Sequence, residues 1–113
     1  GNDLSTLSAA NKWDETLPPM NHKRFSLACV SHLGFIYVFG GNTIDEDNKT
    51  NTAERYNVDT NQWEKLPNML YGNRSHSSAG VIGNKIYVVG GVDGNRNVLA
   101  NTIVFDTSEQ QWD

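Results

Sequence analysis

The clearest pattern along the chain is a short apolar run that occurs twice and ends each time in a pair of glycines. The runs extend from Ile36 to Gly41 and from Ile86 to Gly91, and their glycine pairs lie 50 residues apart (90 − 40). β-Branched and aromatic residues dominate both runs, which favours strands over helices. Polar residues do not alternate with the apolar ones, so we expect both faces of each strand to be buried. The glycines permit positive φ angles or a close approach by another group.

The flanking segments predict three more strands around each apolar run, which we call strand b. Strand a covers 26–32 and 77–82, and strand c covers 53–58 and 102–106. Strand d covers 13–17 and 63–66 and begins again at Trp112. No window shows helical spacing, so we expect an all-β chain essentially without helix. Strand a is rich in small residues, which suit the crowded axis of a radial array of sheets.

The segments between strands b and c, 42–51 and 92–101, are rich in Asn, Asp and Gly. They are long for hairpin loops, and equivalent loops on successive sheets gather on one face. Loops held by a rigid scaffold are where binding usually occurs. This face is therefore the predicted interaction surface.

Taken together, these residues resemble the kelch repeat. In that family an arginine precedes strand a, a tyrosine precedes the glycine pair in strand b, and an aromatic residue in strand c is followed by a tryptophan seven residues later. Both aromatic-to-tryptophan separations are seven here (63 − 56 and 112 − 105). Because Glu54 aligns with Ile103, a salt bridge made by Glu54 would have no counterpart in the second repeat. The matching positions are Arg24, Tyr37, Gly40, Gly41, Tyr56 and Trp63, and then Arg74, Tyr87, Gly90, Gly91, Phe105 and Trp112.

The resemblance implies an all-β propeller fragment of about two four-stranded antiparallel blades, offset by one strand. The implied units are an outer strand d of a preceding or swapped blade at 1–17, a full blade at 18–66, and a second blade lacking most of strand d at 67–113. We expect the chain to be an excised piece of a longer protein. Because two blades leave apolar faces uncovered, we expect aggregation or a closed ring of identical chains, such as a trimer.

Composition narrows the class of partner. The 113 residues carry a net charge of −4 and contain no basic run, which argues against nucleic-acid and anionic-membrane binding. The sequence has neither an apolar run of transmembrane length nor a signal-peptide pattern. The single cysteine, Cys29, favours a reducing compartment, so we expect a cytoplasmic protein, with cytoskeletal or nuclear association left open. We expect Cys29 itself to be a buried small hydrophobe.

The repeated arginines, Arg24 and Arg74, allow two interpretations. In the first, they belong to a ring of guanidinium groups that binds acidic side chains of a peptide. In the second, they are structural and donate hydrogen bonds to loop carbonyl groups between blades. His22, His32 and His76 share no offset within the repeat, so we expect no metal site and no cofactor. No nucleophile and base can be assembled from the sequence, so we expect no catalytic residues.

By resemblance, the expected function is non-catalytic recognition of a protein partner, through a peptide or degron bound at the loop face. The segment would be the substrate-recognition part of a BTB-kelch adaptor, whose contact with a cullin ubiquitin ligase lies in a domain outside it. One alternative is an actin-binding or scaffolding kelch protein. Another is a kelch-propeller enzyme, an oxidase or sugar-processing enzyme with catalytic residues elsewhere. The expected ligand-binding residues are Arg24, Ser26, Asn42, Asp45, Arg74, His76, Asp93 and Asn95.

Overall fold

The computed structural model describes residues 18–21, 23–43 and 48–113. All regular secondary structure in that part of the chain is β-strand, which confirms the all-β prediction. The predicted strand at 13–17 lies outside the described residues. The strands are β1 (Arg24–Phe25), β2 (Ala28–His32), β3 (Phe35–Phe39), β4 (Asn42–Thr43), β5 (Asn48–Lys49), β6 (Ala53–Asn57), β7 (Gln62–Leu66), β8 (Ser78–Ile82), β9 (Lys85–Val89), β10 (Thr102–Asp106) and β11 (Gln111–Trp112).

Eight of these strands form two four-stranded antiparallel sheets. Their orders are β2-β3-β6-β7 and β8-β9-β10-β11, so each sheet follows the chain from strand a to strand d. We call them the first blade and the second blade. Short turns join strand a to strand b and strand c to strand d in each blade, which favours antiparallel pairing of these neighbours, whereas longer segments join strand b to strand c.

A third, small sheet was not predicted. Strand a starts at Ala28 rather than at residue 26, and the two residues of β1 pair instead with β4, which in turn pairs with β5. Phe25 lies opposite Asn42 in this sheet. The segment between strands b and c of the first blade therefore contributes two short strands, and one of them pairs with the residues that precede strand a.

The glycine pairs end strand b in both blades, as predicted. All four glycines have positive φ angles, between 66° and 101°. At Gly40 an added Cβ would lie 2.3 Å from the carbonyl oxygen of Arg74, whereas at Gly90 the nearest atom would be 3.5 Å away. A glycine is thus required at position 40 for two reasons, its backbone conformation and the close approach of the second blade. At position 90 the backbone conformation is the main reason.

The two blades pack face to face around one aromatic cluster. The ring of Phe39 in the first blade lies 6.1 Å from that of Phe105 and 5.5 Å from that of Trp112, both in the second blade. Ile86 and Val88 of β9 are fully buried in the same core. The prediction that strand b is buried on both faces is wrong for the second blade: Val89 is 49% exposed, because no other strand within the described part of the chain covers that side.

Two tryptophans make the same bond at the outer edge of each blade. The indole Nε1 of Trp63 donates to the carbonyl oxygen of Pro18, and that of Trp112 donates to the carbonyl oxygen of Pro67, each over 2.9 Å. Each tryptophan thereby fastens strand d to the segment that enters its own blade. The aromatic and tryptophan positions of the repeat pattern are structural.

None of the described residues belongs to a helix that is long and apolar enough to cross a membrane.

Candidate interaction surface

All loops that link strand d to strand a, and strand b to strand c, lie at one end of the blades. The register shows this, because Ala28 at the start of strand a, Phe39 at the end of strand b, and Ala53 at the start of strand c lie side by side. We call this the glycine end, formed by residues 23–27, 40–43, 48–52, 67–77 and 90–101. The turn end is opposite and comprises 33–34, 58–61, 83–84 and 107–110. All predicted ligand-binding residues that the structure describes fall at the glycine end.

Arg24 and Arg74 are buried and make equivalent structural bonds. Nη1 of Arg24 donates to the carbonyl oxygens of Gly40 (3.1 Å) and Thr52 (3.0 Å). Nη1 of Arg74 donates to those of Gly90 (3.0 Å) and Asn101 (3.3 Å). These bonds support the structural alternative for both arginines. As positioned, they offer no exposed guanidinium to a ligand, since the two residues are 8% and 1% exposed.

The two arginines differ in the charge that balances them. Nη2 of Arg24 forms a 2.8 Å ion pair with Glu54, and Glu54 also accepts from the backbone N–H and the side chain of Asn21. In the second blade Ile103 replaces Glu54, and Nη2 of Arg74 donates to the side chain of Asn101, as Nη2 of Arg24 also does to the hydroxyl of Thr52. Burial lowers the pKa of both arginines, and for Arg24 the carboxylate of Glu54 opposes this shift.

Ser26 and His76 are brought together at the starts of the two inner strands. Each lies two residues after its arginine and has a positive φ angle, 55° and 58°. The backbone N–H of His76 donates to the carbonyl oxygen of Ser26 over 2.8 Å, across the two blades. The left-handed conformation is unfavourable for such residues and persists only where the surroundings impose it, which is a recognised feature of functional sites. The His76 side chain is exposed and lies 3.0 Å from the hydroxyl of Ser75.

The remaining predicted residues have different surroundings. Asn42 is half-buried in β4. The Asp93 carboxylate accepts from the backbone N–H groups of Asn95 (2.8 Å) and Asn97 (2.9 Å), so it orders its own loop. Asn95 is exposed at the tip of that loop. Asp45 and His22 lie outside the described residues.

Several further exposed residues lie at the glycine end, and the sequence did not single them out individually. Phe25 is 52% exposed, Tyr71 is 77% exposed and Val98 is 85% exposed. Tyr71 and Arg96 also have positive φ angles, 64° and 65°. Their loops show no periodic pattern, so the sequence alone gives no signal that these side chains point into solvent. They add apolar and aromatic area to a surface that was predicted to be polar.

Cys29 was predicted to be a buried small hydrophobe, and this prediction is wrong. Its side chain is exposed, because it lies on the side of β2 that faces away from the second blade. Enough protein surrounds the thiol for desolvation to raise its pKa above the ordinary value.

No group of three or more metal-ligating side chains occurs among the described residues. The hydrogen bond between Ser75 and His76 joins a hydroxyl to an imidazole, as a nucleophile and base would be joined. However, Ser75 is only 1% exposed, so a substrate has no access to its hydroxyl in this arrangement.

Comparison with known proteins agrees with this architecture. The sequence model of the kelch motif matches residues 23–70 and 73–113. The chain belongs to the kelch-repeat family. It is similar to Kelch-like protein 15 of Mus musculus, with 32% identity over 112 residues that cover 95% of this chain and 18% of the relative. Kelch-like protein terF of Aspergillus terreus is 33% identical over 92% of the chain and 24% of its own length, and alpha-scruin of Limulus polyphemus is 31% identical over 90% and 11%.

The chain therefore spans between 11% and 24% of the length of these relatives. Its two matched motifs coincide with the two blades, with their boundary between Leu70 and Asn73. Kelch repeats and Kelch-like relatives together show a protein-interaction module.

Proposed function

We propose that this kelch segment recognises its protein partner at the glycine end and performs no chemistry there. The observation that carries the proposal is the pair of left-handed residues, Ser26 and His76, joined across the blades by a 2.8 Å backbone hydrogen bond. Backbone strain held by buried bonds on both sides is typical of a preorganised site. The buried bonds here are those of Arg24 and Arg74, which precede the two residues.

The side chains around this pair suit a peptide more than a small molecule. Phe25 and Tyr71 offer exposed aromatic area, and His76 and Asn95 offer hydrogen-bonding groups. Aromatic residues are enriched in protein interfaces because they bury a large area with little loss of conformational entropy. A partner segment with apolar side chains and hydrogen-bonding backbone groups fits such a surface.

We further propose that the longer protein uses this segment as the substrate-recognition part of a BTB-kelch adaptor. Similarity to Kelch-like proteins over most of the segment supports the proposal. The cullin ligase would be bound through a domain outside this segment, so the residues described here would contribute substrate binding alone.

A pair of double variants in the full-length protein tests the location of the site. His76→Asn with Tyr71→Asn removes two exposed side chains at the glycine end. Leu33→Asn with Gln110→Asn is the matched control at the turn end. All four residues have positive φ angles, and asparagine tolerates that conformation, so the backbone is preserved.

The measurement is quantitative mass spectrometry of proteins that co-purify with each variant. Removing two interface side chains should lower the recovery of specific partners by about tenfold, whereas the control should retain them. Equal recovery from both variants, or an equal loss from both with the fold intact, would contradict a partner site at the glycine end.

We also propose that the isolated segment self-associates, in a ring of about three copies. The exposed side of the second blade supports this, because Ile82 is 73% exposed and Val89 is 49% exposed. Apolar area of this kind on a sheet face promotes association.

A further inference from the structure

The segment between strands b and c of the second blade pairs with itself in a hairpin at residues 91–99, which we call the second-blade hairpin. Isolated antiparallel bridges join Val92 to Ser75 on one side and to Val98 on the other. In the first blade β4 lies in the same way between β1 and β5, and the position of Val98 corresponds to Lys49 in β5. Val98 therefore lies at the outer edge of the hairpin.

The backbone groups of Val98 point away from the hairpin. Two backbone hydrogen bonds flank the pair of Val92 and Val98. They join the N–H of Leu99 to the carbonyl oxygen of Gly91 (2.8 Å) and the N–H of Asp93 to the carbonyl oxygen of Asn97 (3.0 Å). In a pair flanked in this way, the N–H and C=O groups of both residues face outward. Those of Val92 bond to Ser75, whereas no backbone bond within the described part of the chain reaches those of Val98.

The two blades differ in the residue at this edge. Val98 is 85% exposed, and Val92 beside it is half-buried. The same two positions of the first blade have Lys49 and Asn42. An unpaired edge is a template for pairing with another chain, and proteins commonly protect it with charged side chains, lysine above all. The edge of the second-blade hairpin has an apolar residue instead, and we call Val98 with its outward backbone groups the open edge.

The contact between the two blades does not use this edge. Around the β4–β5 pair, the segment that enters the second blade forms backbone hydrogen bonds with Gly41, Thr50 and Asn51. In the part of the chain that the structure describes, none of these bonds reaches Lys49. A further blade packed in the same way would therefore leave Val98 uncovered, so the open edge is separate from the packing of blade on blade.

The second-blade hairpin is held in place by its own bonds. The Asp93 carboxylate accepts from the backbone N–H groups of Asn95 and Asn97, and its second oxygen accepts from the Asn97 side chain over 3.3 Å. The N–H of Arg96 donates to the carbonyl oxygen of Asp93 over 3.1 Å and closes the turn. Because these bonds order the edge in advance, a partner strand would not have to order it on binding.

We propose that an extended segment of the partner protein adds to the open edge as a further strand. Its backbone exchanges hydrogen bonds with the N–H and C=O of Val98, and an apolar side chain packs beside Val98. This inference rests on the proposed partner site at the glycine end and names the kind of segment that it binds. In such strand addition the main chain supplies affinity and alternate side chains supply specificity. The segment should therefore carry β-branched or aromatic residues at alternate positions.

Proline at the edge removes the pairing and preserves the hairpin. Val98→Pro deletes a backbone N–H that has no bond within the hairpin, and proline is tolerated on edge strands for that reason. Lys49→Pro makes the same change at the equivalent position of the first blade and is the matched control. Val98→Thr keeps the N–H and nearly the shape of valine. Circular dichroism identifies the variants that keep the fold.

The probes are dodecamer peptides displayed on phage, selected on the full-length protein and then synthesised with capped ends. We expect V98P to weaken their binding at least about tenfold, and K49P and V98T to change it by less than about threefold. Methylation of one peptide amide nitrogen should weaken binding to a similar degree. Methylation of either adjacent amide should not, because successive N–H groups face opposite edges of a strand.

Equal affinity for V98P and the original protein would overturn the proposal, and so would equal weakening by V98P and K49P. A selection that enriches no peptide would overturn it as well. The double variant His76→Asn with Tyr71→Asn separates this inference from the proposed function. Peptides that bind that variant weakly but bind V98P normally would retain a partner site at the glycine end and reject the open edge. Peptides that bind both normally would reject both proposals.

Discussion

At the level of single residues, the two arginines have the same structural role, but only one of them is paired with a carboxylate. Arg24 and Arg74 hold equivalent carbonyl oxygens, but only Arg24 has a carboxylate, and both members of that pair are almost fully buried, with side-chain exposures of 0% and 1%. Breaking a buried ion pair on one side leaves the other charge without compensation, which costs more than the pair itself contributes. The first blade is therefore the more sensitive of the two to a loss of charge.

Replacing Glu54 by glutamine tests how much the first blade depends on this buried ion pair. The neutral side chain leaves the Arg24 guanidinium buried without its counter-charge, so we expect the free energy of unfolding to fall by about 3 kcal/mol. Urea denaturation followed by circular dichroism measures the change.

The matched control is Asp113→Asn, which breaks the exposed pair between Lys85 and Asp113. That variant should unfold at nearly the same urea concentration as the original protein, because exposed pairs contribute little. Equal shifts for the two variants would contradict the account.

At the scale of single elements, the glycine pair and the a–b turn carry the strongest backbone requirements. Gly40 and Gly90 share a φ angle of 66°, yet only Gly40 lies against the backbone of another blade. In the turn between β2 and β3, Leu33 is 80% exposed with a φ angle of 48°, whereas Gly83 occupies that position in the second blade. The turn between strands a and b thus has a residue that tolerates a positive φ angle in the second blade and one that does not in the first.

Alanine substitution separates conformation from contact at the glycines. Gly90→Ala should lower the free energy of unfolding by about 1 kcal/mol, through its positive φ angle alone. Gly40→Ala should lower it by about 3 kcal/mol or more, because its Cβ would lie 2.3 Å from the Arg74 carbonyl oxygen. Thermal denaturation of both variants measures the difference, and equal losses would show that the close approach has no energetic consequence.

Leu33→Asn should stabilise the protein by about 0.5–1 kcal/mol, because asparagine tolerates the left-handed conformation and an exposed leucine loses no burial. The reverse exchange in the second blade, Gly83→Leu, should destabilise it. An added Cβ at Gly83 meets no atom within 4 Å, so that loss would come from the backbone alone. A lower urea midpoint for Leu33→Asn would show that Leu33 has a stabilising contact.

The sequence predicts those elements whose formation depends on their own residues. The apolar runs of β3 and β9 and the glycines after them have local signals, so both were predicted. The two-residue strands β1 and β4 were not, because neither has a pattern of its own and each exists through pairing with the other. Asp93 was expected to bind a ligand, and only the structure shows that its carboxylate orders the loop.

Burial and backbone strain depend on neighbours that the local sequence does not specify. Cys29 and Val89 were expected to be buried, and both are exposed because they lie on sides that no described blade covers. The left-handed angles of Ser26 and His76 follow from bonds across two blades, so the central feature of the candidate site has no sequence signal. The division at 1–17, 18–66 and 67–113 stays a prediction, which the repeated tryptophan bonds to Pro18 and Pro67 support.

At the scale of the whole molecule, the blades stabilise each other through one aromatic interface. The rings of Phe105 and Trp112 lie 5.1 Å apart, and Phe39 from the first blade contacts both. The glycine end is therefore rigid only as long as this interface holds, because the bond between Ser26 and His76 crosses from one blade to the other. The two blades thus form one cooperative unit that positions the interaction surface.

Amide hydrogen exchange of the Phe39→Ala variant shows whether the two blades lose protection together. Removing this buried ring should cost about 3–5 kcal/mol, and the loss should reach the second blade, which keeps its own sequence. We predict faster exchange in β9 and β10 as well as in β3, together with loss of protection at the His76 amide. Faster exchange confined to β2, β3, β6 and β7 would contradict the claim, because the second blade would then be stable without the first.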